Sequence, residues 1–163
     1  MELFKNILIS FSNFFLSIPF TIGNLSKFSK SDIKAHWQPP GYIFGIVWPV
    51  LYLIFGIINL KTIYSKNITN KIKNLIVGQS LIEAFLQILW LTVTSNYGYR
   101  RLSSQYIAGF IPMIGLLYYA YMVRLPSFKK YDYTLYYMYI PYTIWITFAS
   151  ILNYQLILKS INL

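Results

Sequence analysis

Residues 42–64 read YIFGIVWPVLYLIFGIINLKTIY, and their only charge, Lys61, stands near the end. A helix that crosses a bilayer needs about 20 mainly apolar residues, and this stretch supplies them. Four more runs of the same kind lie at about 6–25, 75–97, 103–123 and 133–158, each flanked by basic residues. The expectation is an all-α fold: an integral membrane bundle of five transmembrane helices, forming a single domain over residues 1–163.

Composition agrees. Hydrophobic residues make up 56% of the chain and charged residues 11%, and the four acids Glu2, Asp32, Glu83 and Asp132 are scattered singly, too few to clothe a water-facing surface. The net charge of +10 would suit nucleic acid if the basic residues shared one face. Instead they sit between and beside the apolar runs, as in Lys27, Lys30 and Lys34, in Lys61, Lys66, Lys71 and Lys73, and in Arg124, Lys129 and Lys130. That is the placement of charges held at headgroup level against anionic lipid, with no nucleic acid implied. Counted on alternating sides, the basic residues divide eight against six, a margin that does not set orientation.

With no cysteine, the chain has no disulfide framework. No cluster with metal-ligand spacing, no nucleophile set and no phosphate-cradling glycine loop is present, so no metal site or resident cofactor is expected. The first run follows Lys5 but lacks a small-x-small cleavage site, and reads as a retained helix. The protein is thus multi-pass, in a membrane the sequence does not name. The connection Ser26 to Pro40 holds the only histidine and is expected to pack over one end of the bundle. Sixteen Tyr and four Trp fit the aromatic belts of bilayer interfaces.

Polar side chains inside spans are costly, and they mark the interior. On the third helix Gln79, Glu83, Gln87, Trp90 and Thr94 fall within an arc of about 80° at the usual helical pitch. Two readings fit this row: interhelical hydrogen bonds, or the lining of a ligand cavity, the second weaker for Glu83, which stands where it could reach water. On the fifth helix Pro141, Trp145, Ala149, Leu152 and Leu156 align, either as a recess beside the indole or as a packing seam. On the second, Phe44, Trp48, Tyr52 and Phe55 share a face, with Gly41 and Gly45 for close approach and Pro49 as an expected kink. Three helices therefore each turn an indole inward, and flat aromatic walls suit a large planar apolar ligand.

The run Trp37-Gln-Pro-Pro-Gly-Tyr-Ile-Phe-Gly-Ile-Val-Trp48-Pro-Val-Leu51-Tyr52 through Gly56 resembles the signature of the TspO/MBR family, known also as translocator protein or peripheral-type benzodiazepine receptor. The block Pro141-Tyr142-Thr-Ile-Trp145-Ile-Thr-Phe148-Ala149-Ser-Ile-Leu152-Asn153-Tyr154 is similar to the family's fifth-helix pattern. The third helix keeps the family's Trp as Trp90, but has Gln87 where Asn is common and Thr94 and Ser95 where an aromatic pair is common. The resemblance implies a five-helix protein that binds tetrapyrroles such as porphyrin or haem, and often sterols, in a cavity closed by the first connection. It implies a carrier, receptor or sensor role, commonly as a homodimer.

Carried over residue by residue, the ligand wall is Trp37, Phe44, Trp48, Gln87, Trp90, Trp145, Ala149 and Leu152. If light- and oxygen-dependent porphyrin breakdown occurs, Trp48 and Trp145 are its redox-active indoles. Leu152, Tyr154 and Lys159 satisfy the family's loose sterol motif. His36 is left outside the site, as a solvent-facing residue. Two alternatives stay open: a porphyrin-degrading membrane enzyme, and an assembly subunit that binds no small ligand.

Overall fold

The computed structural model describes the backbone of residues 2–29, 34–95 and 103–161 and the side chains of 2–22, 34–94 and 106–161. These residues form α1 (Glu2–Ser10), α2 (Ser12–Ser29), α3 (Gly41–Tyr64), α4 (Asn70–Ser95), α5 (Ser103–Tyr118), a π-helical segment (Tyr119–Arg124), α6 (Leu125–Tyr131) and α7 (Tyr133–Ile161). Four stretches are long and apolar enough to cross a membrane, and α1 with the first part of α2, bent by 42°, makes a fifth. In contact order the spans close a ring: α2 lies on α3 and α4, α4 on α5, α5 on α7, and α7 on α3.

The first span is broken where a side chain enters its hydrogen-bond ladder. Asn59 of α3 donates to the Ser10 carbonyl at 3.1 Å and to Ser80 Oγ of α4 at 3.0 Å, so one buried amide ties three helices at the break. Phe11, at the bend, lies on Gly56, where an added Cβ would overlap its ring. Pro49 does not interrupt α3, which is helical from Gly41 to Tyr64.

The largest departure from the expected outline is the fourth span. Its basic residues Arg124, Lys129 and Lys130 read as a headgroup-level loop after residue 123, yet the helix continues through them to Tyr131 and breaks only at Asp132. Lys129 and Lys130 are exposed, but Arg124 is fully buried. Leu116, Ala120, Arg124 and Phe128 are all buried at intervals of four. Steps of four drift by about 40° each on a regular α-helix. The wider π turn over Tyr119–Arg124 takes up part of that drift and keeps Arg124 on the inner face.

Arg124 meets Glu83 there. Their Nε and Oε2 atoms stand 3.1 Å apart with both side chains wholly buried, so Glu83 faces the bundle interior and not water. Arg124 Nη1 donates to the Ile76 carbonyl at 2.8 Å and to Gln79 Oε1 at 3.4 Å. The guanidinium lies 4.5 Å from the Phe128 ring centre, and Tyr139 of α7 donates its hydroxyl to Glu83. With Arg124 taken inside, the headgroup tally becomes seven against six.

A buried pair strands a charge when one partner is removed but tolerates replacement of both. Arg124→Met or Glu83→Gln alone should cost about 3–5 kcal/mol of stability, read as a lower unfolding midpoint in detergent. The double variant should recover most of that loss. A double variant as unstable as the sum of the two singles would show that the charges do not depend on each other.

Candidate functional site

The predicted inward row of α4 is inward: Gln79, Glu83, Gln87, Trp90 and Thr94 are all buried. The row divides by chemistry. Its lower members, Gln79 and Glu83, belong to the Arg124 cluster. Above them Gln87 Nε2 donates to Tyr142 Oη at 2.8 Å, and Trp90 Nε1 donates to Asn153 Oδ1 at 3.2 Å. Thr94 bonds back to the Trp90 carbonyl at 2.8 Å and covers Gly109 of α5 so closely that an added Cβ would collide with its methyl group. The Ser95 side chain lies outside the described residues.

On α3 the expected face Phe44, Trp48, Tyr52 and Phe55 is buried throughout. On α7 the buried stripe differs from the expected one. Tyr139, Tyr142, Ile146, Ala149, Asn153 and Leu156 are fully covered, while Pro141 is exposed and Trp145 is half-buried at the stripe's edge. A helix packed against both α3 and α5 has two inward directions, and the wide stripe that results leaves its single Trp on a margin.

The aromatic residues from three helices and the first connection form one continuous chain of ring contacts. Trp37 meets Phe148 at 5.7 Å, Phe148 stacks on Trp145 at 5.2 Å, and Trp145 meets Trp48 edge-on at 6.3 Å. Trp48 then meets Trp90 at 6.0 Å, while Phe44 sits 5.5 Å from Trp145. Trp37 is 36% exposed whereas Trp48 and Trp90 are 2% and 4% exposed, so the chain runs from the bundle mouth to its interior. Ala149 and Leu152 are buried, Ala149 one helical turn from Trp145 and Leu152 about two. The predicted wall residues Trp37, Phe44, Trp48, Trp90 and Trp145 are thus assembled, with Gln87 below them. Two polar atoms in this region, Gln87 Oε1 and Trp145 Nε1, are buried without a hydrogen-bond partner among the described residues.

The described part of the first connection is fastened to the end of α7. Lys159 Nζ donates to the Lys34 carbonyl at 2.7 Å, Ala35 is buried, and Trp37 meets Phe148. His36 is exposed in the turn. The sterol-motif residues diverge: Leu152 is buried, Tyr154 is exposed beside Phe110 at 6.2 Å, and Lys159 is engaged by the connection.

Four participants, Phe148, Tyr142, Asn153 and Tyr106, are not among the expected site residues. Phe148 joins Trp37 to Trp145, and Tyr142 holds Gln87. Asn153 accepts from Trp90 and donates to the Tyr106 carbonyl at 3.0 Å, tying α4, α5 and α7 beneath the indole. Phe148, Tyr142 and Asn153 stand in the quoted fifth-helix block, and only their burial and partners mark them out. Asn153→Leu should cost about 1–3 kcal/mol through the buried groups it strands, measured as a lower midpoint of thermal unfolding. An unchanged midpoint would remove Asn153 as a tie between these helices.

The chain is 25% identical over 122 residues to protein CrtK of Rhodobacter capsulatus, covering 75% of this chain and 71% of that one. It is 26% identical over 148 residues to the tryptophan-rich protein TspO of Chlorobaculum tepidum, covering 88% and 85% respectively. No solved structure matches it. The TspO/MBR family model matches residues 7–158, nearly the whole bundle with its indole-bearing faces, and the chain belongs to that family.

Proposed function

We propose that this multi-pass membrane protein binds a planar tetrapyrrole, a porphyrin or haem, at the mouth of the bundle and acts as a carrier or sensor of it. The observation that carries the reading is the unbroken run of rings from the half-exposed Trp37 through Phe148 and Trp145 to the buried Trp48 and Trp90. A large conjugated ring gains most from flat aromatic partners, in offset or edge-on contact. Trp37, Phe148 and Trp145 form the reachable part of the wall. Trp48 and Trp90, nearly sealed, support it from behind.

Polar anchoring is available without a metal ligand. Gln87 Oε1 accepts and Trp145 Nε1 donates, and both lack a partner among the described residues. A ring carrying N–H groups and carboxylate edges has complementary atoms for each. Gln reaches further than Asn on its longer arm, and Gln87 is steadied by Tyr142 at 2.8 Å. A sterol is a weaker fit to this wall, because the residues of the sterol motif face apart.

A second reading, porphyrin breakdown driven by light and oxygen, draws on the edge-on contact of Trp48 and Trp145 at 6.3 Å. It requires faster loss of the porphyrin absorption band than in protein-free detergent, and dependence on both indoles.

Titrating the purified protein with protoporphyrin IX in the dark should quench Trp emission saturably. Trp145→Ala should weaken binding at least tenfold, a loss of about 1.4 kcal/mol. Trp90→Phe, which alters the back wall and removes the bond to Asn153, should weaken it less. Equal affinity in the wild type and Trp145→Ala would overturn the assignment. Illumination in air then tests breakdown: a band that bleaches no faster with protein than without it excludes the second reading.

A further inference from the structure

The break in the first span opens a space that the aromatic site does not use. Beyond the 42° bend, α2 lies against both α3 and α4, whereas α1 packs on α3 and α2. Between α1 and the first turns of α4 a groove of about 730 Å³ is left, floored in part by Ile63 of α3.

Its lining changes character with depth in the same way on both walls. On α4, Asn70, Lys73 and Asn74 come first, followed one turn on by Val77, Gly78 and Leu81. On α1, Glu2, Lys5 and Asn6 are followed by Ile9. All ten residues fall at helical spacings of three and four, so each helix turns a single strip towards the groove. The outer turns offer two ammonium groups, one carboxylate and three amides at the level where the spans end. The inner turns are apolar. A site with cations at headgroup depth continuing into a hydrocarbon trough has the polarity of an anionic phospholipid.

Lys73 is held in place. Its Nζ donates to the Ile63 carbonyl at 2.8 Å, which uses one of three ammonium donors and leaves two for a phosphate. Lys5 is exposed on the opposite wall. Asn6 is fixed nearby, donating to Tyr64 Oη at 3.4 Å. The trough is open at Gly78, where an added Cβ would have no atom within 4 Å. Lys66 and Lys71, exposed on the adjoining connection and first turn of α4, add to the positive field at this end.

We propose that the groove between α1 and α4 is a binding site for one anionic phospholipid, its phosphate between Lys5 and Lys73 and an acyl chain laid over Gly78 towards Leu81. The site is separate from the aromatic wall and does not rest on tetrapyrrole binding.

The test is native mass spectrometry of the delipidated protein in neutral detergent with 1-palmitoyl-2-oleoyl phosphatidylglycerol, the phosphatidylcholine of the same chains, and inorganic phosphate. Phosphatidylglycerol should bind one to one, at least tenfold tighter than phosphatidylcholine, with no phosphate adduct at the same concentration. Lys5→Gln should cut that preference severalfold. Gly78→Leu, which fills the trough, should weaken both lipids. Far-UV circular dichroism checks that each variant keeps its helices, and if Gly78→Leu does not fold, Val77→Trp fills the same trough. Equal binding of the two lipids, phosphate binding as tight as the lipid's, or unchanged lipid binding in folded Lys5→Gln and trough variants would each overturn the proposal.

Discussion

The buried pair of Arg124 and Glu83 sets the terms for the lower half of this bundle. Two opposite charges with no water contact, 3.1 Å apart, are tolerable in a membrane only if further polar groups satisfy them. The Ile76 carbonyl and Gln79 of α4 accept from Arg124 Nη1 and Tyr139 of α7 donates to Glu83, while the rings of Phe128 and Tyr139 cover the guanidinium, whose Nη2 has no hydrogen-bond partner among the described residues. The π turn before Arg124 and the helix carried on to Tyr131 both follow from bringing that side chain inside.

Above this cluster the bundle changes material. Phe55 lies against both Tyr139 and Tyr142, at 5.7 and 4.6 Å, and closes the charged layer from the layer of indoles. Gln87 bonds upward to Tyr142 while Glu83, one turn below on the same helix, bonds downward to Arg124. One face of α4 therefore serves two purposes along its length. Its lower part locks the helices, and its upper part, backed by Asn153, holds the aromatic wall in place. Gln79 and Glu83 join helices through Arg124, whereas Gln87, held by Tyr142, keeps a buried Oε1 without a hydrogen-bond partner among the described residues.

Most of this division could be seen in the sequence, because apolar length and helical spacing depend on neighbours along the chain. The spans at 42–64 and 133–158 and the inward rows of α3 and α4 are of that kind. Arg124 reads as a headgroup charge because it stands near Lys129 and Lys130, and its partner lies 41 positions away in another helix. Nothing local distinguishes a charge that will be neutralised across the bundle. The bend at Phe11 was hidden for a similar reason, since its cause is Asn59. On α7 spacing points to the Trp but runs the stripe through Pro141, because it does not reveal that two neighbours share the helix.

The proposed function needs a locked, charged half that is separate from the aromatic half proposed to take the ligand. Hydrogen exchange followed by mass spectrometry, with and without protoporphyrin IX, measures that separation directly. Added protection should be confined to segments around Trp37, Phe44 to Trp48 and Trp145 to Leu152, with exchange around Glu83, Arg124 and Tyr139 already slow and unchanged. Protection that appeared instead around Arg124 and Tyr139, with none near Trp37 and Trp145, would contradict it.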